Sequence, residues 1–154
     1  MGRGSADIRG RIFRERGQCM AEIVRITPDT AGLLGRVADE VFDHAIDPAR
    51  LATYLATPEV VLFVAVADGQ VVAQGRGVAI PNPDGPPVMF LENLGTSPDY
   101  RRQGLATRLL QAVRDWGRAQ GCREFWVATE TENAGAVAFY RTLGLRETPL
   151  LMYD

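Results

Sequence analysis

Apolar positions change period several times along this chain, and each change marks an element. Residues 22–26 carry Ile23, Val24 and Ile26 and predict a first strand, ended by Thr27-Pro28-Asp29. From Thr30 the apolar residues Leu33, Leu34, Val37, Ala38, Val41 and Phe42 recur every three or four positions. That spacing predicts a helix with Asp39, Glu40 and Asp43 on or near its other face. Asp47-Pro48 then has the chemistry of an N-cap and first helical residue, opening a short helix with Leu51, Tyr54 and Leu55. Asp47 is a cap rather than a ligand in that reading.

Residues 59–67 and 70–80 are β-branched runs joined by Asp68-Gly69, a two-residue hairpin signal. A loop of four prolines among seven residues (81–87) separates them from a third strand, 88–96, so the three predict an antiparallel meander. Leu105, Leu109, Val113 and Trp116 restore the helical period, and Gly121 suits its C′ position. Phe125, Trp126 and Val127 mark a strand over 124–129, so strand, helix and strand form a right-handed parallel crossover. A last helix begins at Asn133, carries Ala136, Val137, Phe139, Tyr140 and Leu143, and stops at Gly144. The tail from 145 to 153 supplies material for a closing strand.

Length and composition add bounds. At 154 residues, 46% hydrophobic and 23% charged, the chain fits one globular domain over 21–154. Residues 1–20 hold five arginines without an apolar core, so a disordered leader, with a start at Met20, is expected there rather than a secretory signal. A net charge of −2 with scattered arginines gives no nucleic-acid footprint. The longest apolar run, residues 60–67, is far short of the ~20 residues a membrane span needs. Cys19 and Cys122 are isolated, which predicts reduced thiols of a cytoplasmic protein and neither a metal centre nor a disulfide framework.

The stretch that carries chemistry is Glu92-Asn93-Leu94-Gly95-Thr96-Ser97-Pro98-Asp99-Tyr100-Arg101-Arg102-Gln103-Gly104-Leu105-Ala106-Thr107. It reads as a strand, a short loop and a helix start. Unpaired amides and the helix dipole favour an anion at such a place, and Gly104 admits one closely. A P-loop is absent, and Gly75-Arg76-Gly77 stops short of a dinucleotide fingerprint.

Arg101-x-x-Gly104-x-Ala106 after a strand resembles the acetyl-CoA signature of the GNAT superfamily of N-acetyltransferases. Asn133 and the run Ala138-Phe139-Tyr140-Arg141-Thr142-Leu143-Gly144-Leu145 are similar to that family's second motif, about 30 residues further on. The resemblance covers residues 22 to 154. It implies an α/β (α+β) fold with a mixed, mostly antiparallel sheet, a splayed parallel pair of strands and flanking helices. It also implies an acetyl-CoA cosubstrate without a metal, and admits a homodimer. Its pyrophosphate would lie on Arg101, Arg102, Gln103, Gly104, Leu105, Ala106 and Thr107, and its pantetheine arm on main-chain groups of Leu94 and Thr96. Asn133 would touch the arm's end.

Aminolysis of a thioester needs a proton acceptor for the amine and a donor for the leaving thiolate. The resemblance makes Tyr140 the candidate acid, against the alternative of a core aromatic beside Phe139. Glu92, two residues before Leu94 and so on the same face of a regular strand, is the candidate base, against a solvent-facing glutamate. A bulge would let Asn93 and Glu92 exchange roles. His44, the single histidine, reads as a surface residue.

Acceptor chemistry is suggested by carboxylates that the fold would place on one side: Asp39, Glu40, Asp43, Glu92, Glu130, Glu132 and Asp154. They would attract a polycationic amine; alternatively they are solvated surface charges. The stretch 99–107 and the ends Leu143-Gly144-Leu145-Arg146-Glu147 and Leu151-Met152-Tyr153-Asp154 resemble aminoglycoside 3-N-acetyltransferases of type I. Another small amine, a protein N-terminus, or a non-catalytic acyl-CoA-binding module are the other readings.

Overall fold

The computed structural model describes residues 20–154, so the leader expected over 1–20 lies outside it apart from Met20, which is exposed. Five strands form one sheet in chain order: β1 (Glu22–Arg25), β2 (Val60–Ala67), β3 (Gln70–Ile80), β4 (Val88–Thr96) and β5 (Glu124–Val127). Antiparallel pairing joins β1 through β4, and β4 runs parallel to β5. The helix α2 (Leu105–Ala119) returns the chain between that parallel pair, as a parallel connection requires. The mixed, mostly antiparallel sheet implied by the resemblance is present.

Asp68 and Gly69 both have positive φ, as the two-residue hairpin turn requires. On one face of the sheet, α2 buries Leu105, Leu109, Leu110, Val113 and Trp116 against Met89, Leu91, Ala65 and Ala73. The helix α3 (Ala134–Thr142) contributes Phe139 and Tyr140 to the edge of the same core. The other face is covered by residues 31–46 and α1 (Pro48–Leu55). Asp47 caps α1 as expected, its side chain accepting from the Arg50 amide at 2.8 Å. The Tyr54 hydroxyl ties α1 to the sheet by donating to the Val61 carbonyl at 3.0 Å.

Two expectations fail. The helix foreseen from Thr30 is a single 3-10 turn, Ala31–Gly35, followed by an isolated bridge between Val37 and Val71. Ala38 donates to the Val71 carbonyl at 2.8 Å and Val71 to the Arg36 carbonyl at 2.9 Å, so the sheet captures backbone groups that a helix would have used. Gly32 and Gly35 also lower helix propensity there. The apolar period was real, since Leu34 and Val41 are buried; it reports burial on the sheet.

The closing strand also does not form, and residues 145–154 hold no strand. Pro149 lacks a ladder donor, and Leu150 to Tyr153 lie exposed.

Gly95 in β4 locks the irregular cover to the sheet. A Cβ there would lie 2.5 Å from the Val41 carbonyl oxygen, a backbone atom that cannot swing away. Gly95→Ala is therefore expected to destabilise the fold by roughly 1–3 kcal/mol, read as a lowered urea midpoint. Unchanged stability would show that residues 36–46 are held elsewhere.

Candidate active site

The centre of β4 is irregular. Gly77 pairs with Leu91 and Arg76 with Asn93, which leaves Glu92 as the extra residue of a β-bulge. A bulge reverses the side-chain alternation beyond it. Leu91 and Leu94 consequently both pack beneath α2, where a Cβ at Gly75, opposite Leu94, would meet Leu94 and Leu109 at 3.3 Å. Glu92 instead pairs with Arg76 on the α1 face, with Nε to Oε2 at 2.7 Å. The expectation that Glu92 and Leu94 share a face is thus corrected, and the bulge is the cause.

Beside Glu92, the buried Gln74 donates its amide to Asn93 Oδ1, which fixes the bulge from below. Tyr54, across from the pair, has its pKa pushed up to about 12, first by burial, with Arg76 lowering and Glu92 raising it.

The β4–β5 pairing ends at Leu91 and Val127, although β4 continues to Thr96. Past that point the two strands part, and the β5 side of residues 92–96 faces no strand. Leu94, Val127, Phe139 and Tyr140 pack round the same buried cluster at this fork. The Tyr140 ring lies 5.2 Å from that of Phe139, and its hydroxyl makes no hydrogen bond among the described residues. Burial raises its pKa, so the phenol keeps its proton across the neutral range.

At the end of β4, a short 3-10 turn (Pro98–Tyr100) leads into the loop before α2. Arg102 and Gly104 both have left-handed φ, +58° and +78°. Gly104 is the N-cap of α2, and no side chain caps the helix. Its missing Cβ would point into open space. Leu105 is buried, so it offers this site an amide and not a side chain, while Ala106 is half-buried and Thr107 exposed. The first turn is thus an open set of donors with the dipole's positive end behind it.

The two arginines differ. Arg101 donates to the Thr96 carbonyl at 3.3 Å and to Glu40 at 3.1 Å, so it braces the loop against the irregular cover. Arg102 makes no ion pair or hydrogen bond among the described residues and is exposed. Gln103 donates to the Asp99 carbonyl at 3.4 Å.

Asn133 caps α3, its Oδ1 accepting from the Ala136 amide at 3.1 Å, while its Nδ2 has no partner among the described residues. Among the expected acceptor carboxylates, Glu40 is held by Arg101, Glu92 by Arg76 and Glu132 by the Thr131 hydroxyl. The side chains of Asp39, Asp43, Glu130 and Asp154 are exposed and make no hydrogen bond or ion pair among the described residues. His44 is exposed, and Cys122 is a buried thiol whose pKa burial raises. Among the described residues no helix is long and apolar enough to cross a membrane.

The sequence profile described as the acetyltransferase (GNAT) family matches residues 27–145. The chain belongs to the acetyltransferase (GNAT) family. Over 95 residues it is 35% identical to an aminoglycoside N(6′)-acetyltransferase type 1 of Salmonella typhimurium, covering 59% of this chain and 66% of that protein, just under two thirds of its length. The enzyme of the same description from Stenotrophomonas maltophilia is 31% identical over 137 residues, 85% of this chain and 90% of the relative. The fold matches AAC(6′)-Iy in complex with a bisubstrate analogue, CoA-S-monomethyl-acetylneamine. There the TM-score is 0.71 at 26% identity, covering 87% of this chain and 96% of that one. AAC(6′)-Iy has also been solved with CoA. These relatives carry the 6′ designation, so the resemblance to the 3-N type read from 99–107 and the two end segments is not supported.

Sequence reasoning missed Arg76, Gln74 and the Glu40–Arg101 brace. A signal for the first two was present: Gly75 and Gly77 face α2 on either side of Arg76, which puts Gln74 and Arg76 on the opposite face. Gly104→Val should cost at least about tenfold in CoA affinity, because a β-branched residue resists φ +78° and its side chain would fill the open space. Calorimetric titration with CoA checks this; an unchanged dissociation constant in the folded variant would remove this loop from the site.

Proposed function

We propose that this protein transfers the acetyl group of acetyl-CoA to an amino group of an aminoglycoside, and that the position acetylated is the 6′-amine. The observation that carries the reading is the uncapped start of α2 at Gly104, set at the end of a strand that has parted from its neighbour. The near full-length similarity to aminoglycoside N(6′)-acetyltransferases supplies the acceptor class.

In this reading the amides of Gly104, Leu105, Ala106 and Thr107, with Arg102, hold the diphosphate, and Arg101 and Gln103 stiffen the loop. Main-chain groups of Leu94 and Thr96 hold the pantetheine arm along the open side of β4, with the Thr96 carbonyl shared with Arg101. The Asn133 side chain reaches the arm through Nδ2.

The amine nitrogen attacks the thioester carbonyl carbon, a C–N bond forms and the C–S bond breaks. Glu92 receives the amine's proton, directly or through water, and the Tyr140 hydroxyl gives a proton to the departing sulfur. Burial keeps that phenol protonated and ready. Asp39, Asp43, Glu92, Glu130 and Asp154 supply the negative field that draws the polycation.

Thiol release over a panel of aminoglycosides, monoamines and peptide N-termini tests the function. Turnover is expected on aminoglycosides with a 6′-amine and not on those with a 6′-hydroxyl; CoA binding without turnover on any amine would contradict it. Tyr140→Phe should lower kcat by about a hundredfold or more with the CoA dissociation constant unchanged, and retention of full rate would show that another group protonates the sulfur.

A further inference from the structure

The carboxylate proposed to take the proton already has a cation on it. We infer that Arg76 is a built-in competitor for the acceptor: its guanidinium holds Glu92 in the resting protein, and an ammonium group of the acceptor displaces it on binding. This rests on the reading that the acceptor is a polycationic amine.

The pair is made for exchange. Well-formed guanidinium–carboxylate forks have two aligned bonds of about 2.7–2.9 Å. Here Arg76 Nε lies 2.7 Å from Glu92 Oε2 yet is off the N–H line, since that nitrogen, though buried, has no aligned hydrogen-bond partner. The aligned bond is the one from Nη2 to Oε1, and it is long, at 3.3 Å. The Arg76 and Glu92 side chains are 28% and 42% exposed, so water screens their attraction and a second cation replaces the first at little cost.

Glu92 is the extra residue of the bulge, and the Gln74–Asn93 bond fixes the strand directly beside it. Among the described residues neither the Arg76 nor the Glu92 side chain has another hydrogen-bond or ion-pair partner, so a cation that takes Glu92 breaks no further bond of Arg76. Tyr54 stands close enough for both charges to act on its hydroxyl, which donates to Val61 and so has no proton to offer Glu92.

Such a competitor sets a threshold. Displacing Arg76 costs every amine the same, so the ratio of affinities is unchanged, but an amine whose whole affinity rests on one contact with Glu92 falls below useful occupancy while a more tightly held polycation stays above it.

The test is calorimetric binding of neamine, with CoA present, to wild type, Arg76→Gln, Glu92→Gln and the double variant, alongside acetyl transfer to neamine. Arg76→Gln should tighten neamine binding by about twofold to fivefold, with CoA affinity unchanged, and the gain should vanish when Glu92 is also Gln. Damage to the fold would weaken binding, so a gain has the opposite sign from a structural defect. If wild type binds and acetylates neamine but Arg76→Gln binds it equally or more weakly, the exchange is refuted. If wild type neither binds nor acetylates any aminoglycoside, the functional reading falls and the exchange with it.

Discussion

The amides that open α2 have no partner among the described residues, and the rest of the site is arranged around those free donors. A helix start usually closes itself with a serine, threonine or aspartate side chain. Here Gly104 occupies the cap position in a left-handed conformation and brings no side chain. The dipole and the donors therefore remain available to an anion from outside. The sheet presents this helix start at the end of β4, with Arg101 and Glu40 bracing the loop between them.

The bulge at Glu92 is the second constraint, and it divides labour between the two faces of the sheet. Beneath α2 it places Leu94 in the apolar fork with Val127 and Tyr140, where the strands have stopped pairing. On the α1 face it leaves Glu92 beside Arg76, Asn93 and Gln74. A regular strand would have put Glu92 and Leu94 on one face and lost this separation. The open edge of β4 beyond Leu91 lies between the two, with the apolar fork on one side and the Glu92–Arg76 pair on the other.

Much of this was legible in the residues. The hairpin at Asp68-Gly69, the cap at Asp47-Pro48 and the stripe of α2 follow local rules that tertiary packing did not override. The open helix start at Gly104 could be read because glycine acts locally. What could not be read depended on distant partners. Val37 left the helical pattern because Val71 offered backbone bonds 34 residues away. A bulge in this strand is one reading of the sequence, but its place and the Glu92–Arg76 bond depend on the register with β3, which no local signal sets. Asn133 was assigned to the cofactor alone, although its position before a helix also announces the cap it makes.

The most direct measurement is amide nuclear magnetic resonance of the labelled protein titrated with CoA. The account predicts large shifts and slowed hydrogen exchange at Gly104, Leu105, Ala106 and Thr107, with a second set on the open side of β4 at Leu94 to Thr96. Undisturbed amides at the start of α2, with the shifts falling elsewhere on the protein, would contradict it.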